Sequence, residues 1–463
     1  MIEQEIAHPP DEQSDTPTSL KKPLERPSLG QFIRNPPMFQ METSQTPADT
    51  SATRTPKRGE NTPARSPRMG YPHEIMTDTP ERKAIRVTCA PRLLDYLRKE
   101  VETLGYTVNT AERTGLDFNG TMHDAMRVNL FLRTAFNVLW PIHSFKCADP
   151  QELYRQANAI AWEEMISPDE YLSVVSSVNT PTIRDWRFAS LKLKDAIVDR
   201  VASAVGRRPD SGPRREDFVV HLYWSGDLCS IYFNTSGRKL ADRNYRKMPA
   251  KAPMQETLAA AVVLATGYDG SVPLLNPMCG SGTLAIEAAL IASGRPPGLL
   301  RSNFGFMHHR AFDSAAWNEL RREARKVRRK DHIAPIIATD IDQDALFAAK
   351  KNAETAGVHH MIQFAECDFA ETTVPDEKGI VIMNPEYGAR LGEESELQAT
   401  YKRIGDFLKK RCPGWTGYVF TGNMELGKKV GLRISRRTEF FNAKLDCRLL
   451  KYELYEGTRR KGR

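Results

Sequence analysis

Polar residues and glycines follow a short apolar run at residues 276–283, which read Asn-Pro-Met-Cys-Gly-Ser-Gly-Thr. The run VPLL precedes this segment and the run TLAIEAALIA follows it, so a strand, a glycine turn and a helix are predicted in that order. Asn276 opens the loop. Gly280 and Gly282 would let the backbone approach a ligand closely, and the start of the helix would offer free N–H groups. A tight turn without a ligand would have the same glycines, so the loop is informative only together with its neighbours.

Acidic residues follow the next two predicted strands. Asp340 comes after the run APIIAT, and Asp368 comes after the run MIQFAEC. A carboxylate at the first position can accept both hydroxyl groups of a ribose, as in the dinucleotide fold, and one at the second can lie near an adenine amine. Each acid alone is more typical of a helix cap or a solvated loop. Their order after the glycine loop, each at the end of a predicted strand, favours contact with a ligand.

A fourth predicted strand runs into Asn384, Pro385, Glu386 and Tyr387. The amide oxygen and backbone carbonyl of Asn384 suit an exocyclic amine, because they can accept hydrogen bonds from NH₂ and hold its lone pair toward an electrophilic methyl group. The ring of Tyr387 can stack on a flat ring. The alternative interpretation is a proline turn with a buried tyrosine.

The elements that would position these residues begin at about residue 246, where short apolar strands, glycine turns and helices alternate. This alternation predicts an α/β fold with a parallel, doubly wound sheet. The last segment, GLRISRRTEFFNAKLDCRLLKYELYEG, contains two strands with no helix between them. It predicts an antiparallel hairpin that closes the sheet.

The preceding region, about 83–245, predicts a compact α+β unit. Strands are predicted at KAIRVTCAP and DEYLSVVSSV, and a hairpin at DFVVHLYWSGDLCSIYFNTSG with its turn at residues 225–227. Helices are predicted from Pro91 to Gly105, over MHDAMRVNLFLRTAFNVLW, over DPQELYRQANAIAWEEMI with Asp149 as its cap, and over SLKLKDAIVDRVASAVG.

Composition sets the remaining expectations. Residues 1–82 hold 13 of the 30 prolines in this chain of 463 residues, and we predict that they form a disordered tail. No run approaches the roughly 20 apolar residues of a membrane-spanning helix. The first thirty residues are acidic and proline-rich, unlike a signal peptide, so we expect no membrane partner and a cytoplasmic location. The formal charge of +8 favours a polyanionic partner.

The cysteine and histidine patterns argue against a metal. Seven cysteines are scattered without CxxC pairing, so we expect reduced thiols and no zinc site. The pairs His308-His309 and His359-His360 are adjacent in sequence, so their side chains point in different directions, and no acidic cluster joins them.

Several segments together resemble a known family. PLLNPMCGSGTLAIEAALIASGRPPGLLRSNFGF, ATDIDQDALFAAKKNAETAGV, NPEYGARLG and FNAKLDCRLLKYEL resemble the methyltransferase half of the RlmL type of ribosomal RNA guanine-N2 methyltransferases. RVTCAPRLLDYLRKEVETLG, RVNLFLRTAFNVL and LKLKDAIVDRV resemble the ferredoxin-like plus THUMP module that precedes it in that family. The resemblance covers about residues 83–456. It implies a Rossmann-like class I fold, S-adenosylmethionine as methyl donor, and the N2 amine of a guanine in 23S ribosomal RNA as acceptor.

The resemblance also implies a role for each matching residue. Asn276, Gly280 and Gly282 would form the loop at the methionine side of the donor, Asp340 would bind its ribose and Asp368 its adenine. Asn384, Pro385 and Tyr387 would form the catalytic tetrapeptide around the amine. Asn276 stands where the family usually has Asp, and Glu386 stands where it usually has a second Pro.

The resulting organisation is a disordered tail over 1–82, a ferredoxin-like plus THUMP RNA-binding module over 83–245, a methyltransferase domain over 246–456 and a basic tail over 457–463. RNA contacts are expected from basic stretches, which are Arg207-Arg208, Arg214-Arg215, residues 321–330 and residues 459–463. Three alternatives stay open: a tRNA guanine-N2 methyltransferase, a DNA amine methyltransferase with the same Asn-Pro-x-Tyr motif, and a non-catalytic RNA-binding or assembly factor. The THUMP-like region argues against DNA.

Overall fold

A computed structural model describes residues 81–183, 185–248, 253–327, 332–388 and 394–456. The predicted disordered tail, 1–82, lies outside these residues except for its last two positions. The basic tail 457–463 also lies outside them.

The first half of the described chain forms a mixed sheet with helices against it. Its strands are β1 (Lys83–Cys89), β2 (Val108–Glu112), β3 (Gly115–Gly120), β4 (Ala135–Lys146), β5 (Leu172–Asn179), β6 (Phe218–Ser225) and β7 (Leu228–Asn234). Its helices are α1 (Leu94–Thr103), α2 (Met122–Phe131), α3 (Pro150–Asn158) and α4 (Trp186–Val205). The strand order is β2-β3-β1-β4-β7-β6-β5. Neighbouring strands are antiparallel except β5 and β6, which run parallel.

Strand β4 is shared by the two parts of this sheet. Its first residues pair with β1, where Val138 lies opposite Val87. Its later residues pair with β7, where Trp140 lies opposite Phe233. One strand therefore joins the ferredoxin-like part and the THUMP-like part into a single sheet.

The helix predicted over residues 122–140 is wrong beyond Phe131. Leu132 already has extended backbone angles, φ −70° and ψ 132°, and the residues that follow it lead into β4. Val138 is branched at Cβ, which favours a strand, and Pro141 has no N–H to donate within a helix. The apolar pattern continues across both elements, which explains the error.

Smaller differences affect the other elements of this half. The sequence prediction missed the hairpin of β2 and β3. Helix α1 begins at Leu94 rather than at Pro91, after Arg92 adopts a left-handed conformation with φ 70°. The cap of α3 is confirmed, because the carboxylate of Asp149 accepts two backbone N–H groups at 2.9 Å. The predicted strands β1 and β5, the hairpin of β6 and β7, and helix α4 are also confirmed.

The second half of the described chain is the predicted doubly wound sheet. Its strands are β8 (Leu274–Pro277), β9 (Ile336–Asp340), β10 (Ile362–Glu366), β11 (Ile380–Met383), β12 (Thr416–Thr421), β13 (Ile434–Asn442) and β14 (Leu445–Glu453). Its helices are α5 (Glu256–Thr266), α6 (Thr283–Ala292), α7 (Ser314–Lys326), α8 (Gln343–Ala356), α9 (Glu394–Arg411) and α10 (Met424–Lys429). The order is β10-β9-β8-β11-β12-β14-β13. Strands β8 to β12 form the parallel part of the sheet. Strand β14 is antiparallel to both β12 and β13, so the C-terminal hairpin closes the sheet as predicted.

Buried polar groups join the two halves. The guanidinium of Arg133, which follows α2, donates to the carbonyl oxygens of Leu290 at 3.2 Å and Arg295 at 3.0 Å. The carboxylate of Glu100 on α1 accepts the backbone N–H groups of Arg133 and Thr134 at 2.8 Å and 3.0 Å. Among the residues that the structure describes, no helix is both long and apolar enough to cross a membrane.

Candidate active site

The predicted site residues meet at one edge of the second sheet. Asn276 lies in β8, Asp340 ends β9, Asp368 follows β10 and Asn384 follows β11. Because these strands are parallel, their carboxyl ends open on the same side. Strand β8 has β9 on one side and β11 on the other, so the chain order reverses around it. A crevice at such a reversal is where ligands bind in open α/β sheets.

The glycine loop after β8 has an unusual backbone. Met278, Gly280 and Gly282 have φ of 57°, 54° and 80°, a region that favours glycine. A Cβ on Gly282 would lie 2.9 Å from the Cβ of Ala349, so this glycine allows α6 to pack against α8. A Cβ on Gly280 would meet no atom of the described residues within 4 Å. Gly280 therefore lies beside open space, whereas Gly282 serves packing.

Asp340 holds this loop to β9. Its carboxylate accepts the backbone N–H of Gly280 at 2.8 Å and that of Asp342 at 3.0 Å, one on each oxygen. Each carboxylate oxygen has a second lone pair available to a further donor. Ile341, the next residue, is 71% exposed. The only sequence signal for Ile341 is an apolar residue between acidic ones in DIDQD.

Asp368 is already engaged by protein groups. It caps the short turn Phe369–Glu371 by accepting the N–H of Ala370 at 2.9 Å, and it accepts from the guanidinium of Arg403 at 2.7 Å. Partial burial raises the pKa of Asp368, but these hydrogen bonds and the positive charge of Arg403 outweigh it and hold the pKa below its usual value. Arg403, on α9, was not selected from the sequence because it lies 35 residues away along the chain.

Two amide oxygens at neighbouring strand ends have no hydrogen-bond donor within the described part of the chain. Asn276 is fully buried, and its Nδ2 donates to the carbonyl of Ile382 at 2.9 Å, while its Oδ1 accepts from no described residue. Asn384 Oδ1 is likewise buried without a donor among the described residues. Buried amide oxygens nearly always accept a hydrogen bond, so both oxygens fit N–H donors supplied by bound molecules.

Tyr387 is held by the C-terminal hairpin. Its hydroxyl oxygen accepts from Nδ2 of Asn442 at 2.8 Å, and its ring meets Phe420 edge to face with 6.3 Å between ring centres. A Cβ on Gly422 would come within 2.9 Å of the tyrosine ring, so this glycine makes room for it. Burial raises the pKa of the Tyr387 hydroxyl to about 12, which keeps it neutral at physiological pH.

The other two residues of this turn differ in exposure. Pro385 is buried and Glu386 is exposed. Asn442 lies in the segment FNAKLDC, which resembles the family but does not by itself identify a site residue. Nothing in its spacing indicates a contact with residue 387.

The basic stretches are only partly free. Arg207 pairs with Asp169 at 2.5 Å and Arg208 with Asp199 at 3.5 Å, which reduces their positive field. The described part of the run 321–330 lies on α7 and beyond it, where most of its arginine and lysine side chains are exposed. Residues 328–330 and 459–463 lie outside the described residues.

Acidic residues lie beside His308, contrary to the expectation that no acidic cluster joins the histidine pairs. Its Nδ1 lies 2.7 Å from a carboxylate oxygen of Glu170, and its Nε2 lies 2.8 Å from the amide oxygen of Asn303. Asp217 lies in the same cluster. Both ring nitrogens of His308 are therefore engaged, and the contact with Glu170 joins the two halves.

Family comparisons match the three parts of the chain in order. Residues 84–139 match the RlmL ferredoxin-like domain, residues 147–234 match the THUMP domain, and residues 243–451 match the family described as RMKL-like, methyltransferase domain.

Curated relatives share these parts. The ribosomal RNA large subunit methyltransferase K/L of Syntrophotalea carbinolica is 37% identical over 78% of this chain and 52% of that protein. Its namesake in Allochromatium vinosum is 36% identical over 79% of this chain and 51% of that protein. The chain thus spans about half the length of the relatives with this name. A Synechocystis sp. protein, provisionally named an RNA methyltransferase, is 35% identical over 77% of this chain and 93% of that protein.

Solved structures have the same architecture. A predicted N6-adenine-specific DNA methylase from Listeria monocytogenes is 31% identical with a TM-score of 0.72, over 81% of this chain and 97% of that chain. A provisionally assigned methyltransferase in complex with SAH reaches the same TM-score at 24% identity, over 81% of this chain and 99% of that chain, and supports the fold alone. The chain belongs to the family of methyltransferases in which a ferredoxin-like domain and a THUMP domain precede an RMKL-like methyltransferase domain.

Proposed function

We propose that the protein transfers a methyl group from S-adenosylmethionine to the exocyclic N2 amine of a guanine in 23S ribosomal RNA. The observation that carries this proposal is a pair of buried amide oxygens, on Asn276 and Asn384, which accept from none of the described residues and lie at adjacent strand ends of the sheet reversal. One can accept from an amino group of the donor and the other from the amine that is methylated. Both molecules would then meet in one crevice.

The donor side is formed by the glycine loop and the acids. Bound S-adenosylmethionine supplies an electrophilic methyl group. Gly280 leaves space for the close approach of the donor, and Asn276 Oδ1 accepts from its amino group. The free lone pairs of Asp340 suit the ribose hydroxyls, and the exposed side chain of Ile341 offers an apolar surface to the adenine. Asp368 would contact the adenine amine while it also pairs with Arg403.

The acceptor side is formed by the turn after β11. The oxygens of Asn384 accept from the guanine NH₂ and orient its lone pair, and Pro385 fixes the backbone there. The ring of Tyr387 stacks on the guanine base. Because its hydroxyl stays neutral, Tyr387 supplies a surface rather than a base, so positioning and electrostatics carry the reaction. The proton that the methylated amine loses then passes to solvent.

The substrate assignment rests on the upstream module and on the relatives. We take residues 83–245 as the RNA-binding module and residues 246–456 as the methyltransferase domain, acting in the cytoplasm. The THUMP match favours RNA over DNA, despite the name of the Listeria monocytogenes protein. The name ribosomal RNA large subunit methyltransferase K/L favours ribosomal RNA over tRNA.

A direct test compares three nucleic acids. The full chain is incubated with labelled S-adenosylmethionine and unmodified 23S ribosomal RNA, tRNA or DNA, and modified nucleosides are identified by mass spectrometry. We expect N2-methylguanosine in the ribosomal RNA alone. Methylated tRNA or N6-methyladenine in DNA would contradict the substrate assignment. Tight donor binding in calorimetry without transfer to any of them would indicate a binding factor.

A further inference from the structure

The turn between β13 and β14 lies against the proposed acceptor site. Asn442, the last residue of β13, donates from Nδ2 to the hydroxyl oxygen of Tyr387 at 2.8 Å. The Sγ of Cys447, on β14, lies 3.9 Å from the same oxygen. Tyr387 follows β11, but the far end of its side chain is thus held by a hairpin about 55 residues further along the chain.

The hairpin is in turn held by the first half of the chain. The guanidinium of Arg92 lies 4.2 Å from the ring centre of Phe441. It also forms ion pairs with Glu439 at 3.3 Å and with Asp446. Arg92 therefore contacts both strands of the hairpin. On β13 it meets Phe441, the neighbour of Asn442, and on β14 it meets Asp446, the neighbour of Cys447.

A row of aromatic rings connects helix α1 with Tyr387. Tyr96 on α1 stacks on Phe440 with 5.9 Å between ring centres, and Phe440 lies 6.1 Å from Phe420. Phe420 meets Tyr387 at 6.3 Å. The packing between α1 and the proposed active site is thus continuous.

The backbone at this contact is strained. Among the described residues, four that are not glycine have positive φ, and two of them are Arg92 at 70° and Ala443 at 53°. Such conformations cost free energy and persist where the surrounding structure holds them, often at functional sites. Arg92 comes just before α1, and Ala443 lies in the turn of the hairpin. The two strained residues therefore lie on opposite sides of the contact between α1 and the hairpin.

We propose that Asn442 is a positioning residue for Tyr387, and that Arg92 of the ferredoxin-like domain holds the hairpin so that the tyrosine ring is preset to stack on the acceptor guanine. This inference rests on the proposed function, which assigns stacking to Tyr387. A ring whose hydroxyl is anchored loses little further freedom when the base arrives. Its pre-organisation therefore favours capture of the base without any contact between Asn442 and the RNA.

A double-mutant cycle tests the role of Asn442. Asn442→Ala should lower kcat/KM for 23S ribosomal RNA about tenfold, the scale of one hydrogen bond, and leave the Kd for S-adenosylmethionine unchanged. In a Tyr387→Phe background, which lacks the hydroxyl, the same change should cost less than about twofold. A full loss in both backgrounds would show that Asn442 does not act through Tyr387. Ser435→Ala, which removes an exposed hydrogen bond at the other end of β13, serves as the control.

A matched pair of arginines tests the contact from α1. Arg92→Ala should lower kcat/KM for the RNA about three- to fivefold. Arg98→Ala removes the same charge from an exposed position of α1 and should stay within about twofold of the wild type. Equal losses for the two variants would mean that positive charge alone matters, and would overturn the role given to Arg92.

Alkylation of Cys447 tests the positioning without an activity measurement. The thiol is buried next to the Tyr387 hydroxyl, so the wild type should react slowly with N-ethylmaleimide at this residue, as measured by peptide mass spectrometry. Asn442→Ala should raise the rate at least fivefold, while Ser435→Ala should not. An unchanged rate would overturn the positioning role. A wild type that methylates no RNA would refute the proposed function and leave this result valid.

Discussion

The amide of Asn276 combines a structural and a binding capacity in one side chain. Its Nδ2 is committed to the carbonyl of Ile382 on the neighbouring strand, which leaves its Oδ1 for a ligand. A carboxylate at this position would place a negative oxygen where the amide now donates, about 3 Å from a carbonyl oxygen. The departure from the Asp that is usual in the family therefore agrees with the strand pairing found here.

Asp340 should contribute most to donor binding. Asp340→Ala removes the acceptors proposed for the ribose and also frees the N–H of Gly280, so the donor should bind more weakly by about 1.5 to 3 kcal/mol. Isothermal titration with S-adenosylmethionine measures this. Asp344→Ala, in the exposed first turn of α8, is the control and should bind as the wild type does. An unchanged Kd for Asp340→Ala would place the ribose elsewhere.

Asn384 should separate catalysis from donor binding. Its oxygens are proposed to accept from the amine chiefly as the nitrogen gains positive character, so Asn384→Ala should slow single-turnover methylation by about a hundredfold with little change in donor affinity. Wild-type methylation by Asn384→Ala would refute the proposed active site.

Glu386→Pro, at the exposed neighbouring position, should preserve or raise the rate of methylation if that carboxylate is a tolerated departure from the family.

At the scale of elements, the glycine loop depends on how α6 packs against α8. Gly282→Ala would place a Cβ 2.9 Å from Ala349 at φ 80°, so we expect a loss of about 1 to 3 kcal/mol in the free energy of unfolding together with weaker donor binding. Gly280→Ala adds only the cost of its backbone conformation, because the new Cβ would have no atom within 4 Å among the residues that the structure describes. Thermal melting of both variants tests the packing role of Gly282. An equal loss of stability in the two variants would contradict that role.

In the second half, the parallel sheet and its closing hairpin could be predicted from the sequence, and so could the placement of four polar residues at strand ends, because each of them follows an apolar run. Arg403, Ile341 and Asn442 could not be, because their contacts depend on how distant segments meet in the fold. The helix predicted through residue 140 failed for a local reason. Apolar residues recur from α2 into β4 at a spacing that also fits a helix, and Val138 and Pro141 are weak signals of the change.

At the scale of the molecule, buried charges between the halves should contribute strongly to stability. Arg133→Met would leave the carbonyls of Leu290 and Arg295 without this donor and remove a positive charge that opposes the rise in the pKa of Glu100 caused by burial, so we expect a loss of about 3 to 5 kcal/mol in the free energy of unfolding. Denaturant unfolding measures the loss. Arg113→Met, at an exposed position, is the control. A change below about 1 kcal/mol for Arg133→Met would show that the junction contributes little.

The shared strand β4 has a consequence for any attempt to divide the protein. The ferredoxin-like and THUMP matches end at residue 139 and begin at residue 147, whereas β4 spans Ala135–Lys146. A fragment that begins at residue 147 would lack the partner of β7 and expose an unpaired strand edge, which favours aggregation. We therefore expect the two matched segments to be insoluble when they are produced separately, and well behaved only when they are produced as one piece.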